Sequence, residues 1–305
     1  MTENTHTASS SNSSATQFGI LMALAGCVLF SVKPIFIKIA YQYGGDATSI
    51  MTLRAFSSLP VYLLIFLFLC RRSENRVKVK RYGLKASAIG VMGYYLASFL
   101  DIASLAHISA QLERLLIFLF PTFVVLISWG LYGNKPTRAV LSSALIGYVG
   151  IGFIVFHDFS AFGSSVVSGS LLAITSALVF AFYLVWSKPL IGHLGSSMFT
   201  SIGMGSAGLA ILVHLSLSDA SPADWSVELI TIGILLGIFC TVLPSYLMAA
   251  AMARLNPTTL SLTNNIGPAI TAVFAVIVLD ELFTIWHAIG LVLVVASVYT
   301  LNKKR

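Results

Sequence analysis

Six ionisable side chains interrupt long apolar runs in this chain: Lys33, Lys38, Arg54, Asp101, Glu113 and Arg114. A charge at the centre of a membrane helix costs about 2.5–3.5 kcal/mol on insertion scales, so each needs a partner, a path to water or a task. Lys38 can reach an interface by extending its stem. Asp101 is too short for that, and Arg54 or Arg114 is its natural partner, in a pair that serves either structure or function. Only a carboxylate at such depth titrates usefully, which makes Asp101 and Glu113 the candidates for proton coupling. Arg54 and Arg114 are the candidates for contact with an anionic substrate group.

Spacing adds neighbours to these charges. Tyr94, Ser98 and Asp101 fall at i, i+4 and i+7, one stripe of a helix, and Gln111, Arg114 and Phe118 fall at i, i+3 and i+7. Ser261, Asn265 and Pro268 repeat the first spacing, with Asn264 adjacent. Such stripes face either a neighbouring helix or a wet cavity, and interhelical hydrogen bonding accounts for them as well as function does. Tyr94, Tyr95, Tyr183, Trp186 and Tyr246 can wall a cavity or simply pack. Pro34, Pro121, Pro244 and Pro268 each remove a backbone donor and free a carbonyl one turn earlier, so they can act as hinges or be structural kinks.

The elements that must position these residues are membrane helices. The chain has 305 residues, 57% of them apolar and only 10% charged, too few charges to clothe a soluble globule of this size. Windows of about 20 apolar residues, the length that crosses a hydrocarbon core, occur at 18–40, 47–70, 84–106, 109–132, 138–156, 168–189, 196–217, 226–252, 258–279 and 284–301. Ten spans are therefore expected, with nine or eleven as neighbouring counts because the join at His107–Ser109 is very short and Lys33-Pro34 makes the first span polar. Residues 1–17 read as a disordered cytoplasmic tail, 157–167 as an extracytoplasmic connection and 302–305 as a basic cytoplasmic tail. The net charge of +7 is concentrated: Arg71–Lys85 holds seven basic residues against Glu74. With a cytoplasmic N-terminus, 14 of the 18 basic residues fall on the cytoplasmic side, which sets the orientation by the positive-inside rule and leaves no nucleic-acid patch. Cys27, Cys70 and Cys240 lie in apolar runs and read as packing residues. His107, His157, His193, His214 and His287 are scattered near helix ends, and no metal site is expected of them. No GxxxxGK[ST] loop or HExxH occurs.

Residues 19–38 match 169–188 at five positions, Lys38/Lys188 among them, and 97–121 match 244–268 at six, with Pro121 opposite Pro268. Two five-helix repeats, 18–156 and 168–301, follow from this, and an odd number of helices per repeat inverts the second. The chain resembles the drug/metabolite transporter superfamily in its EamA-type branch. The resemblance rests on Asn265-Ile266-Gly267-Pro268, Leu279-Asp280-Glu281-Leu282-Phe283-Thr284 and a last helix containing Gly290, with Ala110, Glu113-Arg114 and Phe120-Pro121 in the first half. It departs at Tyr132-Gly133-Asn134-Lys135-Pro136, where that branch usually carries an acidic residue after glycine. The resemblance implies that the helices carrying the polar stripes line a central cavity.

The resulting expectation is an all-α polytopic membrane protein of ten helices in two inverted repeats. It would be a secondary transporter, an exporter or exchanger of a small organic metabolite such as an amino acid or other carboxylate, working by alternating access in a bacterial inner membrane. The substrate-binding candidates are Arg54, Tyr94, Ser98, Asp101, Arg114, Phe118, Tyr183, Trp186, Asn264 and Asn265. Asp101 and Glu113 are the coupling candidates and Pro34, Pro121 and Pro268 the hinges. The expected partners are the small-molecule substrate, the lipid bilayer and a coupling proton or counter-substrate; no cofactor is expected. The alternatives are a membrane-embedded enzyme of lipid or isoprenoid chemistry, a nucleotide-sugar-type carrier, and a receptor or channel.

Overall fold

A computed structural model of the chain describes residues 5–133, 135–252, 254–255, 263 and 266–303. The described residues form helices and short turns, with no strand. Seven helical stretches are long and apolar enough to cross a membrane: Gln17–Gln42, Ala47–Leu69, Ser73–Ser104, Ala110–Tyr132, Ser165–Leu194, Ser196–Leu217 and Val227–Met248. Three shorter apolar helices accompany them, at Ala144–Ser160, Gly267–Leu279 and Ile285–Ser297. Many outward side chains are apolar, Leu64, Phe68, Phe156 and Ile277 among them. This is the surface of a bundle solvated by lipid.

Several stretches are broken where backbone hydrogen bonds cannot continue. α1 (Thr5–Ser31) gives way to α2 (Lys33–Gln42) at Val32, one residue before the Lys33-Pro34 pair. α3 (Ala47–Leu69) starts at Asp46, whose carboxylate accepts from the Ser49 N–H. α4 (Ser73–Gly90) runs through a π turn at Val91–Leu96 into α5 (Ala97–Ser104). α6 (Ala110–Ile117) and α7 (Phe120–Tyr132) are two parts of one stretch, parted ahead of Pro121. α8 (Arg138–Phe162), α9 (Ser165–Leu194) and α10 (Ser196–Leu217) follow. α11 (Val227–Gly237) passes through a second π turn, Ile238–Val242, into α12 (Leu243–Met252). α13 (Gly267–Leu279) begins ahead of Pro268, and α14 (Ile285–Lys303) closes the chain.

Three expected boundaries move. Helix α1 begins at Thr5, inside the stretch expected to be a disordered tail, because adding residues to an existing helix needs no new nucleus. The third stretch begins at Ser73, so most of the basic segment is helical. Residues 157–162, expected in a connection, belong to α8, and the turn shrinks to Gly163-Ser164 with Gly163 at φ 76°. Two of the polar residues that suggested a loop, His157 and Asp158, are instead paired within the bundle, as described below.

The halves before and after the Gly163 turn are interleaved. α8 packs along α14, α3 along α10 and α11, α1 on α12, and α5 and α7 on α9. One large core joins Ile35, Ile50, Met51, Ile102, Leu229 and Leu236 across both halves. The closest backbone approach among the described glycines brings Gly90 of α4 against Gly203 of α10, where a Cβ on Gly90 would strike the Gly203 backbone. Gly90→Ala should therefore push α4 from α10 and cost about 1–3 kcal/mol, the scale of overpacking. The change at Gly152, which has open space around it, should be nearly neutral. Thermal unfolding in detergent of the two variants checks the contrast.

Candidate functional site

The break between α1 and α2 creates the site's first element. The Ser31 carbonyl, which an unbroken helix would pair with the Ile35 N–H, loses that donor to Val32, and the Thr271 hydroxyl of α13 donates to it instead at 2.7 Å. The break sets Lys33 at the start of α2, and its Nζ donates to Asp101 Oδ2 of α5 at 2.6 Å. The Asp101 side chain is 5% exposed, so this is an ion pair inside the bundle. The buried Glu113 of α6 is hydrogen-bonded to the Asp101 side chain, and the buried Arg54 of α3 brings its charge to bear on it as well. Two cations and two carboxylates thus meet where four helices converge.

Arg114 turns the other way. Its Nη2 donates to Ser31 Oγ at 3.5 Å, its guanidinium lies 5.5 Å from the Phe118 ring centroid, and Gly267 leaves the room it occupies. Glu281 then fixes this helix from the second half. Its carboxylate accepts from the backbone N–H groups of Ala110 at 2.7 Å and Gln111 at 3.4 Å, and from Gln111 Nε2 at 3.3 Å. A carboxylate on the first N–H groups of a helix satisfies orphan donors and complements the helix dipole. It is held there by Asp280, which ends α13 in the left-handed region at φ 52°, so that the Glu281 N–H folds back onto the Ala275 carbonyl.

A band of hydroxyls flanks the charges. Tyr183 Oη donates to Tyr94 Oη at 2.8 Å, and Tyr62 and Tyr246 stand with ring centroids 6.0 Å apart. Gly93 makes space for the Tyr183 ring. The Thr52 hydroxyl, Gln111 Oε1 and Arg114 Nε are buried in these two zones without a protein hydrogen-bond partner, while the Tyr62, Tyr246 and Glu113 side chains reach Ser245, Ser201 and Asp101. Buried polar groups are nearly always paired, so such unpaired atoms mark where a polar guest or water is received. An apolar recess of about 240 Å³ between α7 and α8, lined by Val125, Leu141 and Leu145 among others, touches none of them.

The structure brings Lys33, Arg54, Asp101 and Glu113 together, but in another pairing than the sequence suggested. Asp101 bonds Lys33 rather than Arg54 or Arg114, because the kink at Pro34 aims Lys33 at α5 while Arg114 faces α1 and α13. The Tyr94–Ser98–Asp101 stripe does not serve one partner: Tyr94 lies in the π turn and meets α9, whereas Asp101 meets α2. Ser98 is half-buried near the latter. Trp186 stands apart, 39% exposed and packed on Phe182, so it does not join the hydroxyl band. Asn264 and Asn265 lie outside the described residues. Pro34, Pro121 and Pro268 each sit in the first turn after a helix break. Ser31, Tyr62, Thr271 and Glu281 were not singled out as site residues, and Lys33, one of the six buried charges, was not placed among the binding or coupling candidates although its depth in the span was a usable signal. Nor were the histidines expected to gather, yet His157, Asp158 and His287 do: Asp158 Oδ1 lies 3.1 Å from His157 Nδ1 and 3.4 Å from His287 Nε2.

A helical bundle with an apolar outer surface, long apolar helices and charges held inside it is a polytopic membrane protein. The EamA-like transporter family matches residues 17–156 and 167–303, and the chain belongs to it. It is 27% identical over 284 residues to "Uncharacterized transporter YcbK" of Bacillus subtilis (strain 168), covering 89% of this chain and 88% of that protein. It is 24% identical over 302 residues to "Protein RarD" of Escherichia coli (strain K12), covering 93% and 96%. A solved crystal structure superposes with a TM-score of 0.60 at 20% identity over 94% of this chain and 96% of that one, a likeness of fold.

Removing one partner of a buried ion pair strands the other charge, which typically costs about 3–5 kcal/mol, whereas removing both is far milder. Lys33→Met should therefore destabilise strongly, and Lys33→Met with Asp101→Asn should recover most of the loss. Unfolding by denaturing detergent measures both variants, and additive losses would contradict the pairing.

Proposed function

We propose that the protein is a secondary transporter of a small organic metabolite bearing an anionic group, an amino acid or related carboxylate. In this reading ten helices form two inverted five-helix repeats that rock about a central site in a bacterial inner membrane, with both termini cytoplasmic. Matched irregularities support the repeat. The π turns at Val91–Leu96 and Ile238–Val242 begin 147 residues apart. So do the breaks at Leu119 and Ile266, the left-handed caps at Gly133 and Asp280, and the starts of α8 and α14. Composition alone does not reproduce four backbone irregularities at one offset. The three proline-marked breaks are the hinges of this motion.

The observation that carries the substrate reading is the ionic cluster in which Asp101 and Glu113 meet Lys33 and Arg54. Lys33, Arg54 and Arg114 stand around Asp101 and Glu113, whose carboxyl groups are hydrogen-bonded to each other. When one carboxyl takes a proton, a cation is left without its counter-charge, and the anionic group of a substrate supplies it. Proton and anion then move together, which is symport or its reverse. The Tyr62, Tyr94, Tyr183 and Tyr246 hydroxyls offer the polar contacts for the rest of the solute.

Reconstituted protein should show counterflow of a labelled amino acid or organic anion, and uptake should rise as the proton supply on the substrate side rises. Arg54→Ala should weaken substrate binding about ten- to a hundredfold, the worth of one charge-assisted hydrogen bond. Asp101→Asn should abolish the response to pH. If Arg54→Ala, Arg114→Ala and Asp101→Asn all transport like the wild type, the site assignment is wrong.

A further inference from the structure

The cluster of His157, Asp158 and His287 plays no part in the site above. His157 and Asp158 sit near the end of α8, and His287 lies in the first turn of α14. Asp158 is 2% exposed and its ionic contacts among the described residues are to the two imidazoles. Neutral imidazoles offer a carboxylate hydrogen bonds but no counter-charge, and a buried carboxylate without a counter-charge is expensive. The three donor atoms all lie within 4.8 Å of one another. Ligands about 2.0–2.1 Å from a tetrahedral ion stand about 3.3 Å apart, against 3.1 and 3.4 Å for the two edges at Asp158. The remaining edge closes by turning His157, the half-exposed member, whose exposure also gives an ion its way in.

The surroundings fix the two buried donors. Thr284 Oγ1 lies 2.8 Å from His287 Nδ1. His287 Nδ1 also accepts from the Thr284 N–H at 3.4 Å, so without an ion Nε2–H points to Asp158 Oδ1. An ion displaces that proton, and with Nδ1–H given to the Thr284 hydroxyl the Nε2 lone pair is free to ligate, the usual outer support of a metal-bound histidine. One turn on along α14 and two turns back along α8, the two helices approach almost backbone to backbone: a Cβ on Gly150 would come 3.0 Å from the Gly290 carbonyl oxygen. Donors on two helices clamped this closely are preorganised.

We propose that His157 Nδ1, Asp158 Oδ1 and His287 Nε2 form a binding site for a first-row divalent cation, Zn²⁺ above all, that staples α8 to α14. Two imidazoles and one carboxylate suit Zn²⁺, Cu²⁺ or Ni²⁺, while Mg²⁺ and Ca²⁺ prefer oxygen throughout. Water completes the coordination on the open side of His157. The staple also steadies the 280–284 segment, whose Glu281 caps the helix carrying Glu113 and Arg114. It stands independently of what the protein transports.

Full-length, tag-free protein, stripped with EDTA in detergent, should take up one Zn²⁺ per chain in equilibrium dialysis with metal analysis. Zn²⁺ should raise its melting temperature, and Mg²⁺ and Ca²⁺ should not. Trp286, stacked on Phe153 at 5.8 Å beside the site, should report binding by its fluorescence. His287→Gln should weaken binding by more than about a hundredfold, exceeding the usual loss for an outer-shell partner. Should that variant fail to fold, His157→Ala, at a half-exposed position, should still fold and bind at least about tenfold more weakly. The proposal is overturned if wild type and a His157→Ala/His287→Gln variant take up equal Zn²⁺. It is equally overturned if neither takes up any and acidification alone raises the melting temperature, the mark of a plain histidine–aspartate ion pair.

Discussion

Everything near the centre of this bundle answers to one electrostatic constraint: an aspartate that is 5% exposed must be neutralised without water. A carboxylate in such a medium is tolerable only with a cation in contact and further hydrogen bonds around it. Lys33 can make that contact because Pro34 breaks the first stretch just where its side chain can turn toward α5. The break in turn strands the Ser31 carbonyl, and Thr271 is present to receive it. Charge, kink and hydroxyl form one arrangement, and no part of it is stable in lipid without the other two.

The same logic runs through the irregular backbone. Helices broken ahead of Pro34, Pro121 and Pro268 and the two π turns lie beside the polar zones, with Leu96, Ile238, Phe239 and Ile266 turning their apolar side chains outward. Broken helices are tolerated at membrane depth where neighbouring protein groups satisfy the freed carbonyls and donors. Glu281 extends this across the halves, tying the start of α6 to the end of α13 through three hydrogen bonds. A movement of one half against the other must therefore be transmitted to Glu113 and Arg114, which α6 carries.

The apolar stretches were legible in the sequence because a hydrocarbon slab dictates helix length, and the buried charges were legible because a membrane makes them rare. Pairing was not legible. Whether Asp101 meets Lys33, Arg54 or Arg114 depends on a kink angle and on which faces of α2, α3 and α6 turn inward. A π turn inside the third stretch likewise spoils the helical arithmetic that put Tyr94 and Asp101 on one stripe. His157 and Asp158 misled for the opposite reason. Their polarity read as a loop, since the residue that draws them inward, His287, lies far along the chain. The offset of 147 residues, weak as a count of identities, becomes informative only when backbone irregularities can be laid over it.

In the proposed transport cycle the Asp101 region opens alternately to the two sides of the membrane. Ser98, half-buried one turn before Asp101, is the place to ask. With Cys27, Cys70 and Cys240 replaced by serine or alanine, Ser98→Cys can be probed with a membrane-impermeant thiol reagent in right-side-out and inside-out vesicles. Alternating access predicts labelling from both sides, slowed on both by transported substrate and shifted toward one side by a proton gradient. Labelling from one side only, whatever the gradient or substrate, would contradict the account.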